Sequence, residues 1–194
     1  VQVNEKAGVT FASALRTILR QDPDIIMIGE MRDFDTAHIA IQSSLTGHLV
    51  LSTLHTNDSI SAVTRLTDMG IEPYLVSGSL LGVVAQRLVR RICPHCREEV
   101  PASGVILQHG IEKAWRGRGC EKCRNTGYIG RFGLYEQFDV TPEIQAAIAE
   151  KAPSSELRRL ARMNGFFTLL ELGIKAVANG ETTPEEMLRV VGEV

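Results

Sequence analysis

Apolar positions along the first 70 residues follow two alternating spacings. Phe11, Ala14, Leu15 and Ile18 recur at helical intervals, with Thr10 placed as an N-cap and Pro23 placed to end the helix. Ile25-Ile26-Met27-Ile28 follows as an unbroken apolar run, the pattern of a strand buried on both faces of a parallel sheet. Polarity returns abruptly at Gly29-Glu30-Met31-Arg32-Asp33. The spacing then predicts a second helix over about Thr36 to Leu45, with Ala37, Ala40, Ile41 and Leu45 inward and Gly47 as its stop. His48 to Thr53 reads as a second strand. Asn57 or Asp58 can cap a third helix that carries Ile60, Val63, Leu66 and Met69 and closes at Gly70. Helices alternating with apolar strands predict an α/β domain with a parallel core.

Beyond residue 70 the pattern changes twice. Pro73 to Val84 reads as a weaker helix, and Gln86 to Ile92 as a charge-rich edge strand or connector. Residues 93–135 hold all four cysteines and seven glycines, with little apolar periodicity. From Thr141 the chain reads as helical. Thr141-Pro142 and Thr183-Pro184 each set an N-cap before a first-turn proline, and Thr183 to Glu186 has capping-box spacing. Leu157, Leu160 and Ala161 form one apolar stripe, Ile174 and Val177 part of another, and Gly165 and Gly180 read as helix stops. The expected organisation is an α/β part over 1–92, a cysteine-bearing subdomain over 93–135 and a helical region over 136–194.

With 44% hydrophobic and 23% charged residues in 194, the chain is globular and long enough to bury a core without disulfides. Its 21 basic against 23 acidic residues give no overall attraction to nucleic acid or anionic membrane. Aromatic residues, at 5%, are too few for a broad base-stacking platform. No apolar run approaches the roughly 18 residues that span a bilayer. The sequence opens on Val1 rather than Met, and reads as a fragment of a longer protein.

Cys93-Pro94-His95-Cys96 and Cys120-Glu121-Lys122-Cys123 carry the strongest chemical signal. A two-residue gap lets both thiolates of a knuckle face one point, and two knuckles supply four sulfurs for a tetrahedral Zn²⁺. A closed shell of four sulfurs leaves no position for water, so such a site is structural. Gly117, Gly119 and Gly127 flank the second pair where the backbone must turn sharply, and His95 is a spare candidate ligand that, given four cysteines, is expected to point outward or bond a sulfur. The competing reading, two thiol redox pairs, fits less well because redox CxxC motifs occur singly after a strand. Thiols kept for a metal belong in a reducing compartment.

Ligands of parallel α/β sheets sit outside the carboxyl ends of the strands. Here those ends are Glu30 and the segment Thr53 to His55. Glu30 can orient a water or hold Mg²⁺ through one, His55 can donate to an anion, and Arg32 can pair with phosphate or with Asp33. The plain alternative is that these residues mark where a strand meets solvent. No GxxxxGKS or GxxxxGKT phosphate loop occurs in the 194 residues.

Four stretches resemble one family. Arg20 to Asp33 is similar to the Walker B segment of the secretion ATPases that power type II secretion and type IV pilus assembly. Thr46 to Asp58 resembles that family's His box. Gln86 to Cys96 and Gly127-Tyr128-Ile129-Gly130-Arg131 resemble its zinc subdomain and flanks, leaving about 97 to 118 outside the likeness. The resemblance implies a RecA-like ATPase half, a hexamer, and a position on the cytoplasmic side of the inner membrane against platform proteins. It implies ATP, Mg²⁺ and Zn²⁺ as cofactors, with Glu30 catalytic, Arg32, His48 and His55 on the nucleotide, and Cys93, Cys96, Cys120 and Cys123 on zinc. The tetracysteine element points to the secretion or pilus-extension branch. The family's Walker A loop and Asp box would precede Val1. The runner-up is a zinc-ribbon nucleic-acid module, suggested by Lys113, Arg116, Arg118, Lys122, Arg124 and Arg131. The overall charge and scarce aromatics favour reading these as a solvated face, with no nucleic-acid partner.

Overall fold

The computed structural model describes residues 11–21, 23–102 and 104–192. In chain order the elements are α1 (Phe11–Ile18), β1 (Ile25–Ile28), α2 (Phe34–Leu45), β2 (Leu49–Ser52), α3 (Ser61–Asp68), α4 (Pro73–Ser79), β3 (Gly82–Ile92), β4 (Arg97–Pro101), α5 (Gly104–Gln108), β5 (Lys113–Gly117), β6 (Tyr128–Asp139), α6 (Pro142–Ala149), α7 (Ser154–Met163), α8 (Leu169–Ala178) and α9 (Pro184–Val191). They form two compact units. The first holds residues 1–83 and 138–165, the second 84–137 and 166–194. These cuts differ from the sequence boundaries at 92/93 and 135/136. The reason is that β3 and β6 pair in one sheet, which ties the strand before the cysteines to the strand after them, and β6 runs unbroken through 135/136.

In the first unit β1 and β2 pair in parallel, Ile25 opposite Leu49 through Ile28 opposite Ser52, so the α/β reading with a parallel sheet holds. The helix α2 connects them, capped by Asp33, whose carboxylate accepts from Thr36 N–H at 2.8 Å. Ala37, Ala40 and Ile41 are buried as the spacing predicts, but Leu45 is exposed. Asp58 accepts from Ser61 N–H at 2.7 Å at the start of α3. The expectation for β1 needs a correction. Ile26 and Ile28 pack with Ala40 in a small core, whereas Ile25 is 61% and Met27 78% exposed, as are Leu49 at 43% and Leu51 at 49%. Only one face of this two-stranded sheet is covered within the described residues. Thr10, read as the N-cap of α1, and the side chains of Phe11 and Leu15 lie outside the described residues.

The second unit packs α8 and α9 against the ribbons β3–β6 and β4–β5. Val89 and Leu134 from the long ribbon meet Leu169 and Ala176, while Ile106 and Ala114 meet Ile174, Val177 and Met187. The segment between the cysteine pairs is thus ordered as β4, α5 and β5. The capping box falls elsewhere than its spacing predicts. Thr183 accepts from Glu186 N–H at 3.2 Å, but the Glu186 carboxylate turns to Arg90 and Arg189 instead of returning to its own cap. A reciprocal box forms at Thr168 and Glu171.

Glu186 is fully buried and takes hydrogen bonds from Arg90 Nε and backbone N–H and from Arg189 Nε, at 2.9–3.0 Å. Burial pushes its carboxyl up, but the bonds from Arg189 and Arg90 outweigh that and bring it down to about 2. A depressed carboxylate stabilises the fold above its ordinary value of 4.5 and loses that contribution as pH falls toward about 2. The size is about 3 kcal/mol at 1.36 kcal/mol per unit. We expect Glu186→Gln to weaken the fold at pH 7 and to flatten the stability of the second unit between these two pH values, measured by urea unfolding. An acid slope equal to the wild type's would show that the pair contributes nothing.

Candidate functional site

The parallel register brings the carboxyl ends of β1 and β2 side by side, and the chain is tied there by two further bonds. Met31 N–H donates to the Thr53 carbonyl at 3.1 Å, and the Thr53 hydroxyl donates to the Gly29 carbonyl at 2.6 Å. Glu30 lies between them. Its Oε1 is 2.7 Å from His55 Nε2 and its Oε2 is 2.6 Å from an Arg32 guanidinium nitrogen. The Glu30 side chain is 18% exposed, while His55 and Arg32 are 84% and 77% exposed. Pairs this open to solvent contribute only about 0–1 kcal/mol to stability, so folding alone gives little reason for three such groups to converge. What the arrangement offers is a half-sheltered carboxylate flanked by two groups that can donate to an anion.

Arg32 pairs with Glu30 and not with Asp33, because Asp33 is occupied as the cap of α2. His48 stands elsewhere, where α2 gives way to β2. Its Nδ1 is 3.0 Å from the Ser43 carbonyl and 3.3 Å from the Thr46 hydroxyl, so the structure does not bring it to Glu30. The part played by Thr53 is absent from the sequence reading. Nothing in a one-dimensional pattern shows a hydroxyl reaching 24 residues back along the chain.

The second cluster joins Cys93, Cys96, Cys120 and Cys123, whose sulfurs all lie within 4.8 Å of one another. Cys93 and Cys120 are 3.9 Å apart, Cys96 and Cys123 3.9 Å, and Cys120 and Cys123 3.7 Å. Four sulfurs about 2.3 Å from a tetrahedral Zn²⁺ sit about 3.8 Å apart, so the donor set fits that ion. Cys123 Sγ accepts backbone N–H bonds from Cys120 at 3.1 Å and Gly127 at 3.3 Å. Burial pushes the Cys123 thiol up, but those N–H groups outweigh it and bring it to about 6, whereas burial leaves Cys96 raised to about 12. The flanking glycines are required by close approach. A Cβ on Gly117 would collide with the Gly127 carbonyl, and Gly127, at φ +77°, would collide back. His95 is exposed and outside the cluster. Of the basic residues nearby, Lys113 pairs with Glu99 at 2.8 Å and Arg116 with Glu98 at 2.7 Å across β4–β5.

Residues 1–189 match the family described as Type II/IV secretion system protein, a span that includes the 97–118 stretch left outside the sequence resemblance. The chain is 54% identical to the type II secretion system protein HxcR of Pseudomonas aeruginosa over 98% of its own length and 38% of that relative's. It is 49% identical to the type IV pilus assembly ATPase PilB of Thermus thermophilus, over 96% of this chain and 22% of that one. Among solved structures, the pilus retraction motor PilT with bound ADP superposes with a TM-score of 0.66 at 27% identity, covering 93% of this chain and 43% of PilT. The chain therefore spans less than half the length of each.

Proposed function

The chain belongs to the Type II/IV secretion system protein family, and on that premise we propose that it is the Walker B and zinc-bearing portion of an ATPase that drives protein secretion or pilus assembly. The observation that carries this reading is the Glu30 carboxylate at the ends of two parallel strands, held by His55 and Arg32. In this role Glu30 orients the attacking water. His55 and Arg32, the exposed partners of that carboxylate, would donate to the terminal phosphate of ATP as charge develops there. Glu30 is the carboxylate on this chain that would help hold Mg²⁺, and the ion would supply positive charge to the phosphate oxygens. His48 acts more remotely, by fixing the turn that leads into β2. The four cysteines hold a structural Zn²⁺. The whole protein works as a hexamer against platform proteins on the cytoplasmic face of the inner membrane. Pairing of Lys113 and Arg116 with glutamates weakens the nucleic-acid reading.

The phosphate cradle that anchors ATP, a Gly-rich loop with Lys, is not among these 194 residues. The full-length protein is therefore expected to hydrolyse ATP, while this chain alone stays at background. Steady-state phosphate release from both proteins, measured side by side with Mg²⁺, checks this. A full-length protein without ATP turnover would sink the reading, and turnover by the isolated chain would sink the argument about the cradle.

A further inference from the structure

We infer that Thr53 is a positioning residue for Glu30, a role that rests on the reading of Glu30 as the group orienting water. The last paired residues of the β1–β2 ladder are Ile28 and Ser52. Gly29 to Met31 therefore lies past the regular sheet, where a backbone is ordinarily free to pivot. Two bonds prevent that, and both come from Thr53. Its hydroxyl donates to the Gly29 carbonyl at 2.6 Å, and its carbonyl accepts from Met31 N–H at 3.1 Å. The Gly29 carbonyl belongs to the rigid peptide unit before the Glu30 Cα, and Met31 N–H to the unit after it. One residue thus fixes both planes that define φ and ψ of Glu30. Two residues further on, His55 Nε2 holds the carboxylate itself at 2.7 Å. The segment 53–55 grips Glu30 at its backbone and at its reactive end. Misplacing a catalytic group by about 1 Å costs up to about a hundredfold in rate, so such a grip acts on turnover.

The hydroxyl is the testable part, because Val has nearly the shape of Thr and cannot donate. In the full-length protein, Thr53→Val is expected to lower kcat for ATP about five- to tenfold, the effect of one lost hydrogen bond. Nucleotide affinity and Tm stay near wild type, and Thr53→Ser, which keeps the hydroxyl, restores most of the turnover. Wild-type kcat in Thr53→Val overturns the proposal. So does an equal loss in Thr53→Ser, or a loss of kcat that follows a matching fall in Tm, which marks a role in stability alone. Glu30→Gln measured alongside separates the two levels. If it is inactive while Thr53→Val is not impaired, only the positioning role fails. If Glu30→Gln turns over normally, the reading of Glu30 fails and Thr53 falls with it.

Discussion

Replacing Glu30 by Gln in the full-length protein is expected to cut steady-state ATP turnover by roughly a hundredfold or more, with nucleotide affinity largely kept. Gln matches Glu in size, so the packing around the ends of β1 and β2 survives. What it loses is charge. The amide cannot take a proton from water as a carboxylate can, and it is a weaker partner for Arg32 and His55, now 2.6 and 2.7 Å away. General-base roles are typically worth about 10²–10⁴ in rate, or roughly 3–5 kcal/mol of barrier. Binding depends mainly on the phosphate cradle, which the substitution leaves alone. His55→Ala should also slow turnover, but less, because it removes a donor and leaves the carboxylate. Turnover and nucleotide affinity measured on the same preparations decide the matter. Near-normal turnover in Glu30→Gln would leave Glu30 as the polar end of a strand and nothing more.

The juxtaposition of Glu30 with His55 is legible in the sequence because it needs only two facts. Apolar runs at 25–28 and 49–51 mark strands, and a helix between them makes those strands parallel, so their carboxyl ends lie together. The cysteine cluster is legible for a similar reason, since the two-residue gaps nearly dictate the knuckles. Periodicity says that a residue is apolar, and it does not say which chain covers it. This is why Ile25 and Met27 read as buried on both faces although their side of the sheet is open within the described residues. Local motifs fail where a distant group competes. Thr183 to Glu186 has capping-box spacing, yet Arg90, 96 residues earlier, takes the carboxylate. His48 shows the same limit in the other direction. It belongs to the stretch that contains His55, but strand direction puts them at opposite ends of β2. The guanidinium of Arg32 has two acidic neighbours in sequence, and only the capping of α2 by Asp33 decides between them.

On the proposal that the four cysteines hold zinc, taking the ion away should loosen the segment around them, and the topology says why. The tetracysteine cluster lies where four strands begin or end: β3 stops before Cys93, β4 starts after Cys96, β5 stops before Cys120 and β6 starts after Cys123. Backbone bonds that cross this junction include Cys93 N–H to the Gly127 carbonyl at 2.9 Å and Arg118 N–H to the Cys96 carbonyl at 3.1 Å. Each sheet here has two strands, and an isolated two-stranded ribbon is marginal in water. A zinc ion held only by the folded chain adds its binding free energy to folding, and apparent values in small domains are about 10 kcal/mol or more at pH 7. We therefore expect about one equivalent of zinc per chain. Chelation, or Cys120→Ala, should strip hydrogen-exchange protection from residues 93–127 and lower the stability of the second unit by several kcal/mol. Residues around Ile26, Ile28 and Ala40 keep their protection, because they form their own core in the first unit. A well-protected second unit with four free thiols and no bound metal would show that the sulfurs converge for packing alone.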